Sequence, residues 1–264
     1  MKISVIVPTY KPKDYIWECL DSICAQKFDK HEYEVILVLN GCYEPYDTII
    51  KDYICNHPEV QWNYIHTNQG GVSNARNIAL DCARGDYVTF IDDDDFVSQT
   101  FLSELYEKAA DNTISLCYPY AFNDGNMEQL TYRITSNYEM CSGKGIQPYS
   151  RARKYFSGPC MKLIPMSYIR DRRFDKRFKN GEDALFNFLI SDKFEYVDFT
   201  SINAVYYRRY RSNSAVTTHR QLSEKIDNAR RLIGSYISIY FSNPLEYSFI
   251  FFITRLLGTI RSLL

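Results

Sequence analysis

Along the first part of the chain, short apolar runs typical of buried strands alternate with segments in which apolar residues recur at helical spacing. The predicted strands cover 3–7, 33–39, 62–66 and 87–91, and the predicted helices between them cover 14–26, 47–55 and 73–83. Alternation with short connections favours a parallel sheet with right-handed crossovers. We therefore predict an α/β fold with a Rossmann-like, mostly parallel sheet flanked by helices. Ligands of such sheets bind beyond the carboxyl ends of the strands.

The predicted strand ends carry polar groups that together suit a nucleotide. They are Pro8-Thr9-Tyr10, Asn40-Gly41, Asn68-Gln69-Gly70-Gly71 and the run Asp92-Asp93-Asp94-Asp95. These segments offer a ring for stacking, amides for a base, backbone N–H groups at a helix start and acids for a metal ion. Pro8 lacks an N–H, so we expect the first strand to end there. Arg76 lies in the first turn after the glycine pair, where it could reach a phosphate; a solvated helix face is its alternative role.

The run from Asp92 to Asp95 places four consecutive carboxylates at one strand end. Like charges repel, so folding around them is costly unless a cation neutralises them. Oxygen ligands suit Mg²⁺ or Mn²⁺, and Mg²⁺ is typically bound through one or two carboxylates plus substrate phosphates. The run therefore predicts a divalent-metal site that holds a phosphorylated ligand. A solvated acidic loop, or an acidic cap for a helix that begins near Ser98, is the alternative.

Composition disfavours several classes of protein. The net charge of −1 disfavours a general nucleic-acid binder, and an apolar share of 45 % suffices for a sizeable core. The eight cysteines show no C-x-x-C spacing, which disfavours a zinc site or a disulfide framework and fits a reducing cytoplasm. The chain enters a strand at once, so we expect no secretory signal. No uncharged run has the length of about 18 residues that a spanning helix needs.

The second half of the chain is less regular. Its predicted elements are a strand at 113–122, acceptor-side loops or edge strands at 123–142, a short strand at 162–164, a helix at 184–190 and a strand at 202–205. A strongly basic patch at 170–179 precedes Glu182 and Asp183. Acids at a helix N-terminus have a simple explanation, which is favourable charge against the helix dipole.

The C-terminal part is predicted to be helical at 222–240 and 245–264, with a break at Asn243-Pro244. Arg255 and Arg261 make spanning a membrane costly, so the apolar segment 244–264 is expected to lie at a membrane surface. Packing on the main domain or in a dimer is the alternative. We divide the chain into a domain over 1–220, with halves at 1–110 and 111–220, and a helical extension over 221–264.

Three segments resemble the family 2 glycosyltransferases, which have the GT-A fold. They are Ser4-Val5-Ile6-Val7-Pro8-Thr9-Tyr10, Gly71-Val72-Ser73-Asn74-Ala75-Arg76-Asn77 and Phe90-Ile91-Asp92-Asp93-Asp94-Asp95, the last matching the family's D-x-D-D pattern. Together they cover roughly residues 2–110. By this resemblance, 1–110 is the nucleotide-binding half and 111–220 the acceptor-binding half.

The resemblance implies roles for individual residues of the first half. The nucleotide would be held by Pro8, Thr9, Tyr10, Asn40, Asn68, Arg76, Asp92 and Asp93. Thr9 and Tyr10 would contact the base and Asp92 the ribose, while Asp94, with Asp92, would bind Mn²⁺ or Mg²⁺. The chain departs from the family at Leu39-Asn40-Gly41-Cys42, where two acids usually precede Gly-Ser. Asn40 can offer its carbonyl oxygen to a uracil N3–H instead.

The resemblance also implies the chemistry of the second half. Glu182-Asp183 resembles the family's E-D motif, in which the Asp is the general base that takes a proton from the attacking hydroxyl. Arg209, Arg211 and Ser214 resemble a late family segment that closes over the diphosphate, and a solvated basic loop is their alternative.

The predicted function is inverting, metal-dependent transfer of a sugar from a nucleotide-diphosphate sugar, with UDP favoured as the carrier. The acceptor would be a hydroxyl of a glycan or a lipid-linked molecule, in the synthesis of a bacterial surface polysaccharide. Alternatives are a sugar-nucleotidyltransferase and an inactive sugar-nucleotide-binding subunit. The expected location is the cytoplasm, with peripheral contact to the inner face of the cell membrane and homo-oligomerisation left open.

Overall fold

The computed structural model describes residues 1–211 and 221–263, and its first part has the predicted alternation. The elements are β1 Ile3–Thr9, α1 Tyr15–Cys24, β2 Tyr33–Asn40, α2 Tyr46–Cys55, β3 Gln61–Thr67, α3 Val72–Cys82 and β4 Tyr87–Phe90. Every predicted boundary in this part lies within two residues of the observed one. The α/β class is therefore confirmed.

The second part contains shorter elements. They are β5 Phe96–Val97, α4 Phe101–Glu107, β6 Thr113–Leu116, β7 Tyr118–Asn123, α5 Arg133–Cys141, β8 Gln147–Pro148, a 3-10 segment Tyr149–Ser157, β9 Lys162–Pro165, α6 Met166–Ile169, α7 Glu182–Leu189, β10 Tyr196–Phe199, β11 Val205–Tyr210, α8 Leu222–Ser242 and α9 Phe249–Arg261.

The main sheet has eight strands in the order β3-β2-β1-β4-β9-β6-β10-β8. Strands β1 to β4 run parallel, and β9 is antiparallel to both of its neighbours, β4 and β6. Every residue of β1 and β2 is buried, as expected for strands covered by helices on both faces. A second sheet, β5-β11-β7, lies at the carboxyl end of β4, because β5 follows the acidic run directly.

Two local predictions were wrong. Pro8 does not end β1, since it pairs with Val38 and the strand continues to Thr9. Pairing of β1 with β4 stops at Ile6, so a proline beyond that point can be accommodated without a ladder bond on that side. The predicted strand at 202–205 is instead β11, which begins at Val205 and includes the Tyr and Arg residues up to Tyr210.

The region from 113 to 142 also differs from its prediction. The strand expected at 113–122 is two strands, β6 in the main sheet and β7 in the small sheet. The stretch expected to hold loops or edge strands contains helix α5, whose buried residues include Ile134 and Tyr138. Two polar residues of α5, Thr135 and Asn137, are buried together with the apolar ones, which obscures its helical period in the sequence.

The two C-terminal helices pack on the main body. Tyr236 of α8 and Phe251 and Phe252 of α9 are buried, and the Tyr247 hydroxyl donates to the Leu189 carbonyl at the end of α7 at 3.0 Å. In residues 1–211 and 221–263, we find no helix with the length and apolar character needed to traverse a bilayer.

Candidate active site

The acidic run lies beside the ends of β1 and β11. The Tyr206 hydroxyl accepts from the Asp92 N–H at 3.2 Å and donates to the Asp95 carboxylate at 2.7 Å. The other Asp95 oxygen accepts the Arg209 N–H at 2.8 Å, and burial raises the pKa of Asp95 well above its usual range. The buried Asp95 therefore links the acidic run to β11 through two hydrogen bonds.

Arg76 joins the two acidic motifs of the sequence into one site. It is 3 % exposed, and it donates to Asp183 Oδ1 at 2.7 Å and to Asp92 Oδ1 at 2.9 Å. Its guanidinium also lies over the Phe174 ring, 5.4 Å from the centroid. Residues 92 and 183, which are distant in the chain, thus share one buried cation.

Asp183 occupies the first turn of α7. The helix is entered through Gly181 at φ +87°, a conformation that favours glycine, and Glu182 is buried beside Asp183. The Asn187 side chain donates to the carbonyls of Asp183 and Gly158, both at 2.9 Å, and so ties this turn to the chain before β9. Burial raises the pKa of Asp183, and the positive charges of Arg76, Lys162 and Arg208 oppose that rise.

The ends of β1 and β2 form the neighbouring wall. Thr9 donates its hydroxyl to Asp93 at 2.5 Å, and burial raises the pKa of Asp93 to about 7. Asn40 is buried and uses both ends of its amide, since Nδ2 donates to the Thr9 carbonyl at 2.7 Å and Oδ1 accepts the Gly71 N–H at 2.9 Å. Asn40 therefore links the loops after β1 and β3.

An aromatic ring, that of Tyr10, lies at the exposed end of this wall. Tyr10 is 54 % exposed. A Cβ on Gly41 would meet Tyr10 at 3.4 Å and the Gly70 backbone at 2.8 Å, so close approach of the two loops requires a glycine there. Asn68 lies exposed in the loop after β3. The predicted base-contacting residues thus lie at the ends of the neighbouring strands β1, β2 and β3, on one edge of the sheet.

Asp94 is held by an arginine from the chain just after β11. Arg211 donates to Asp94 Oδ2 at 2.6 Å through Nε and to the Tyr15 hydroxyl at 2.9 Å. Burial raises the pKa of Asp94, an effect that Arg211 opposes. Within residues 1–211 and 221–263, no three histidine, cysteine or carboxylate side chains are grouped as a preformed metal site. The two carboxylates of Asp92 and Asp94 are nevertheless the donor type that Mg²⁺ or Mn²⁺ takes together with phosphate oxygens.

The other residues expected at the diphosphate lie in different settings. Arg209 forms ion pairs with Glu18 and Asp124 and donates through Nε to the Asp94 carbonyl at 2.9 Å. Ser214 lies outside the residues that the structure describes.

Two basic residues near the site escaped the sequence analysis. Arg208 donates to the Tyr132 hydroxyl at 2.9 Å. Strand alternation would have grouped it with Tyr206 had β11 been placed correctly. Lys162 is fully buried in β9 and donates to the carbonyls of Gly158 at 2.6 Å and Cys160 at 2.8 Å. The sequence signal for Lys162 was a charged residue at the start of an otherwise apolar strand, Lys162-Leu163-Ile164.

Comparison with known proteins decides the family. Residues 4–173 match the profile described as Glycosyl transferase family 2. The chain belongs to this family. The resemblance seen in the three sequence segments is thereby confirmed.

Curated relatives are similar over most of this chain. The poly(ribitol-phosphate) β-N-acetylglucosaminyltransferase TarS of Staphylococcus aureus is 27 % identical over 89 % of the chain, which spans 40 % of the length of TarS. The glycosyltransferase GlyG of Streptococcus pneumoniae is 29 % identical over 84 % of this chain and 75 % of its own length.

Solved structures share the GT-A fold. A TarS fragment in complex with UDP-GlcNAc superposes with a TM-score of 0.70 at 24 % identity, covering 90 % of this chain and 67 % of that one. A mannosyltransferase from Pyrobaculum calidifontis, in complex with GDP-Man and Mn²⁺, has a TM-score of 0.65 at 17 % identity, covering 99 % of this chain and 69 % of that one.

Proposed function

We propose that this chain is an inverting glycosyltransferase that moves a sugar from a nucleotide-diphosphate sugar to a hydroxyl of a glycan or lipid-linked acceptor. The observation that carries the proposal is the bridge from Asp92 through Arg76 to Asp183, because it brings a donor-side acid and a base into one site. The names of the relatives support a role in bacterial surface polymers, since TarS acts on poly(ribitol-phosphate) by name.

UDP is the carrier we propose, and its base would enter at the exposed ring of Tyr10. Asn40 already accepts the Gly71 N–H, so a uracil N3–H would have to use the remaining lone pair of the same oxygen. Asn68 and the hydrogen-bonded pair of Thr9 and Asp93 would line the nucleotide opening around this ring. The UDP and UDP-GlcNAc complexes of TarS support this choice.

Asp183 is the proposed general base. Direct displacement at the anomeric carbon requires the acceptor hydroxyl to lose its proton as it attacks, and a carboxylate within about 3 Å can take it, typically contributing 10²–10⁴-fold. Arg76 positions the Asp183 carboxylate, and Asn187 holds the helix turn that carries it. Because Arg76 contacts Asp183 through one oxygen only, the other oxygen can face the acceptor.

Asp94 and Asp92 would hold Mn²⁺ or Mg²⁺, with Arg209 and Arg211 beside the diphosphate. When bound, such an ion acts as a Lewis acid that stabilises the charge of a leaving diphosphate. Arg211 donates to Asp94, so binding of the ion by Asp94 would require this arginine to give way and would leave it to pair with phosphate oxygens.

We further propose peripheral membrane contact through segment 244–264. Leu245 is 95 % exposed, and Phe249 and Ile250 are exposed beside it. Since Phe251 and Phe252 of the same segment are buried, deletion would disturb the fold. The double variant Leu245→Ser, Ile250→Ser changes only exposed side chains of this segment. If it sediments with anionic liposomes as the wild type does, this contact is rejected.

The experiment that tests the function compares Asp183→Asn with the wild type in turnover of UDP-sugars. We expect loss of transfer and donor hydrolysis with nearly unchanged UDP affinity, because the change removes a proton acceptor and leaves the nucleotide opening intact. Asp171→Asn, at an exposed position in the basic patch, is the control. Full turnover by Asp183→Asn would overturn the assignment of the base.

A further inference from the structure

A cleft of about 640 Å³ lies between the basic loop before α7 and helix α8. Three arginines line it: Arg173 and Arg177 from the loop and Arg231 from α8. We call it the arginine cleft. The α8 wall is made of small residues, Gly234, Ser235 and Ser238, which follow Arg231 at helical spacing on one face. The cleft is therefore roomy, and its lining combines these donors with one acid, Asp175, and with apolar side chains of α7 and Ile239 of α8.

The arginine cleft adjoins the site that contains the base. Its inner wall includes Leu185 and Phe186 of α7, the helix that bears Asp183 in its first turn. Phe186 stacks on Phe174 with centroids 3.9 Å apart, and Phe174 in turn lies under Arg76. One aromatic pair thus separates the cleft from the bridging arginine.

Two arginines of the cleft are available to an incoming anion, whereas Arg173 also donates to the backbone carbonyls of Arg170 and Arg172. Each of the three is paired with an aspartate near the surface: Arg173 with Asp81, Arg177 with Asp175 and Arg231 with Asp227. Arg177 and Arg231 are 69 % and 58 % exposed in these pairs. Exposed ion pairs contribute little to stability, so exchanging them for a stronger partner costs little.

The chemistry of the lining favours a phosphate over a carboxylate. A phosphate has more acceptor oxygens than a carboxylate and can take guanidinium forks from two sides at once. The serine hydroxyls of α8 can donate to remaining oxygens, and Leu185 and Leu189 offer apolar contact to a carbon chain. A neutral glycan would use none of the three charges.

We infer that the arginine cleft binds a phosphate group of the acceptor, so that the acceptor is a phosphate-bearing molecule whose hydroxyl reaches Asp183. This inference rests on the proposed function, and it narrows the acceptor class. The phosphate could belong to a polyol-phosphate polymer or to a prenyl pyrophosphate lipid, and the two sources are separated by the choice of probe.

The test measures binding of two probes to the full chain: a soluble ribitol-phosphate oligomer, and neutral phosphatidylcholine liposomes with and without undecaprenyl pyrophosphate. The variant carries Arg177→Gln and Arg231→Gln, two exposed changes outside the catalytic residues. The control carries Arg151→Gln, an exposed arginine that does not line the cleft. Circular dichroism checks that all variants are folded.

We expect the dissociation constant of one probe to rise at least tenfold in the double variant and to stay within twofold in the control. If the dissociation constant of the oligomer rises in the double variant, the acceptor is a phosphodiester polymer. If that of the loaded liposomes rises, the acceptor is a lipid pyrophosphate. Failure of both probes to bind, equal binding by wild type and double variant, or an equal loss in the control would overturn the inference. Turnover of UDP-sugars is measured separately, so failure of the proposed function would be recognised independently.

Discussion

Replacing Arg76 with Met should destabilise the fold and disable the site together, because one buried guanidinium serves both Asp92 and Asp183. Removing one partner of a buried ion pair costs about 3–5 kcal/mol, since the remaining charge is left uncompensated. The side chains of Asp183 and Asp92 are 24 % and 40 % exposed, so water can solvate part of each charge. We therefore expect the lower end, about 3 kcal/mol, or roughly 6–12 °C in Tm for a chain of this size.

Arg76→Lys separates the charge from the geometry. Lysine keeps a positive charge, but its single ammonium cannot reproduce the planar fork that reaches Asp92 and Asp183 at once. We expect this variant to keep more of the stability than Arg76→Met. Its turnover should still fall about 100-fold, because a displacement of about 1 Å at a reacting group has that effect.

Thermal unfolding and donor turnover measured on the same preparations check both expectations. Arg231→Gln, which breaks an exposed ion pair with Asp227, is the stability control and should leave the Tm nearly unchanged. A wild-type Tm for Arg76→Met would show that the bridge does not stabilise the fold. Full turnover by Arg76→Lys would show that the fork does not position the base.

Three further changes test other parts of the site. Asp94→Ala should abolish the Mn²⁺-dependent part of UDP affinity. If the Kd for UDP is the same with and without Mn²⁺ in both the wild type and the variant, the metal assignment is rejected. Tyr206→Phe removes a hydroxyl that donates to the Asp95 carboxylate, and it should lower the free energy of unfolding, measured in urea, by about 1.5–3 kcal/mol. Tyr207→Phe, at a ring that stacks on Phe96, is the control. Burial lowers the pKa of Lys162 from 10.5 to about 8, so above that pH this residue binds more protons in the unfolded chain and its contribution to stability rises with pH. Lys162→Met should remove about 2 kcal/mol of this gain between about pH 7.5 and 9.5; identical pH profiles would contradict it.

The first half of the fold was predictable because its strands and helices differ clearly in apolar spacing. The gathering of Thr9, Asn40 and Asp93 at one edge follows from parallel pairing alone. The strand β11 was missed because Arg208, Arg209 and Arg211 give the run the composition of a solvated loop. In the fold, those charges are instead paired with acids, a tyrosine hydroxyl and aromatic rings.

The role of Arg76 could not be read from the sequence. Its local context, the first turn of a helix after two glycines, indicates a phosphate ligand. Its observed partners Asp92 and Asp183 are set by how the loop before α7 packs against α3, which depends on contacts distant in sequence. Phe174 illustrates this dependence, because its backbone N–H and carbonyl are both bonded to the side chain of Asn77 in α3.

The contact between Gly181 and Leu232 gives the C-terminal helices a mechanical role. A Cβ at Gly181 would come within 2.6 Å of the Leu232 side chain, so α8 presses directly on the turn from which Asp183 projects. Any displacement of α8 towards this turn therefore has to move the first turn of α7 as well, and with it Asp183, the proposed base.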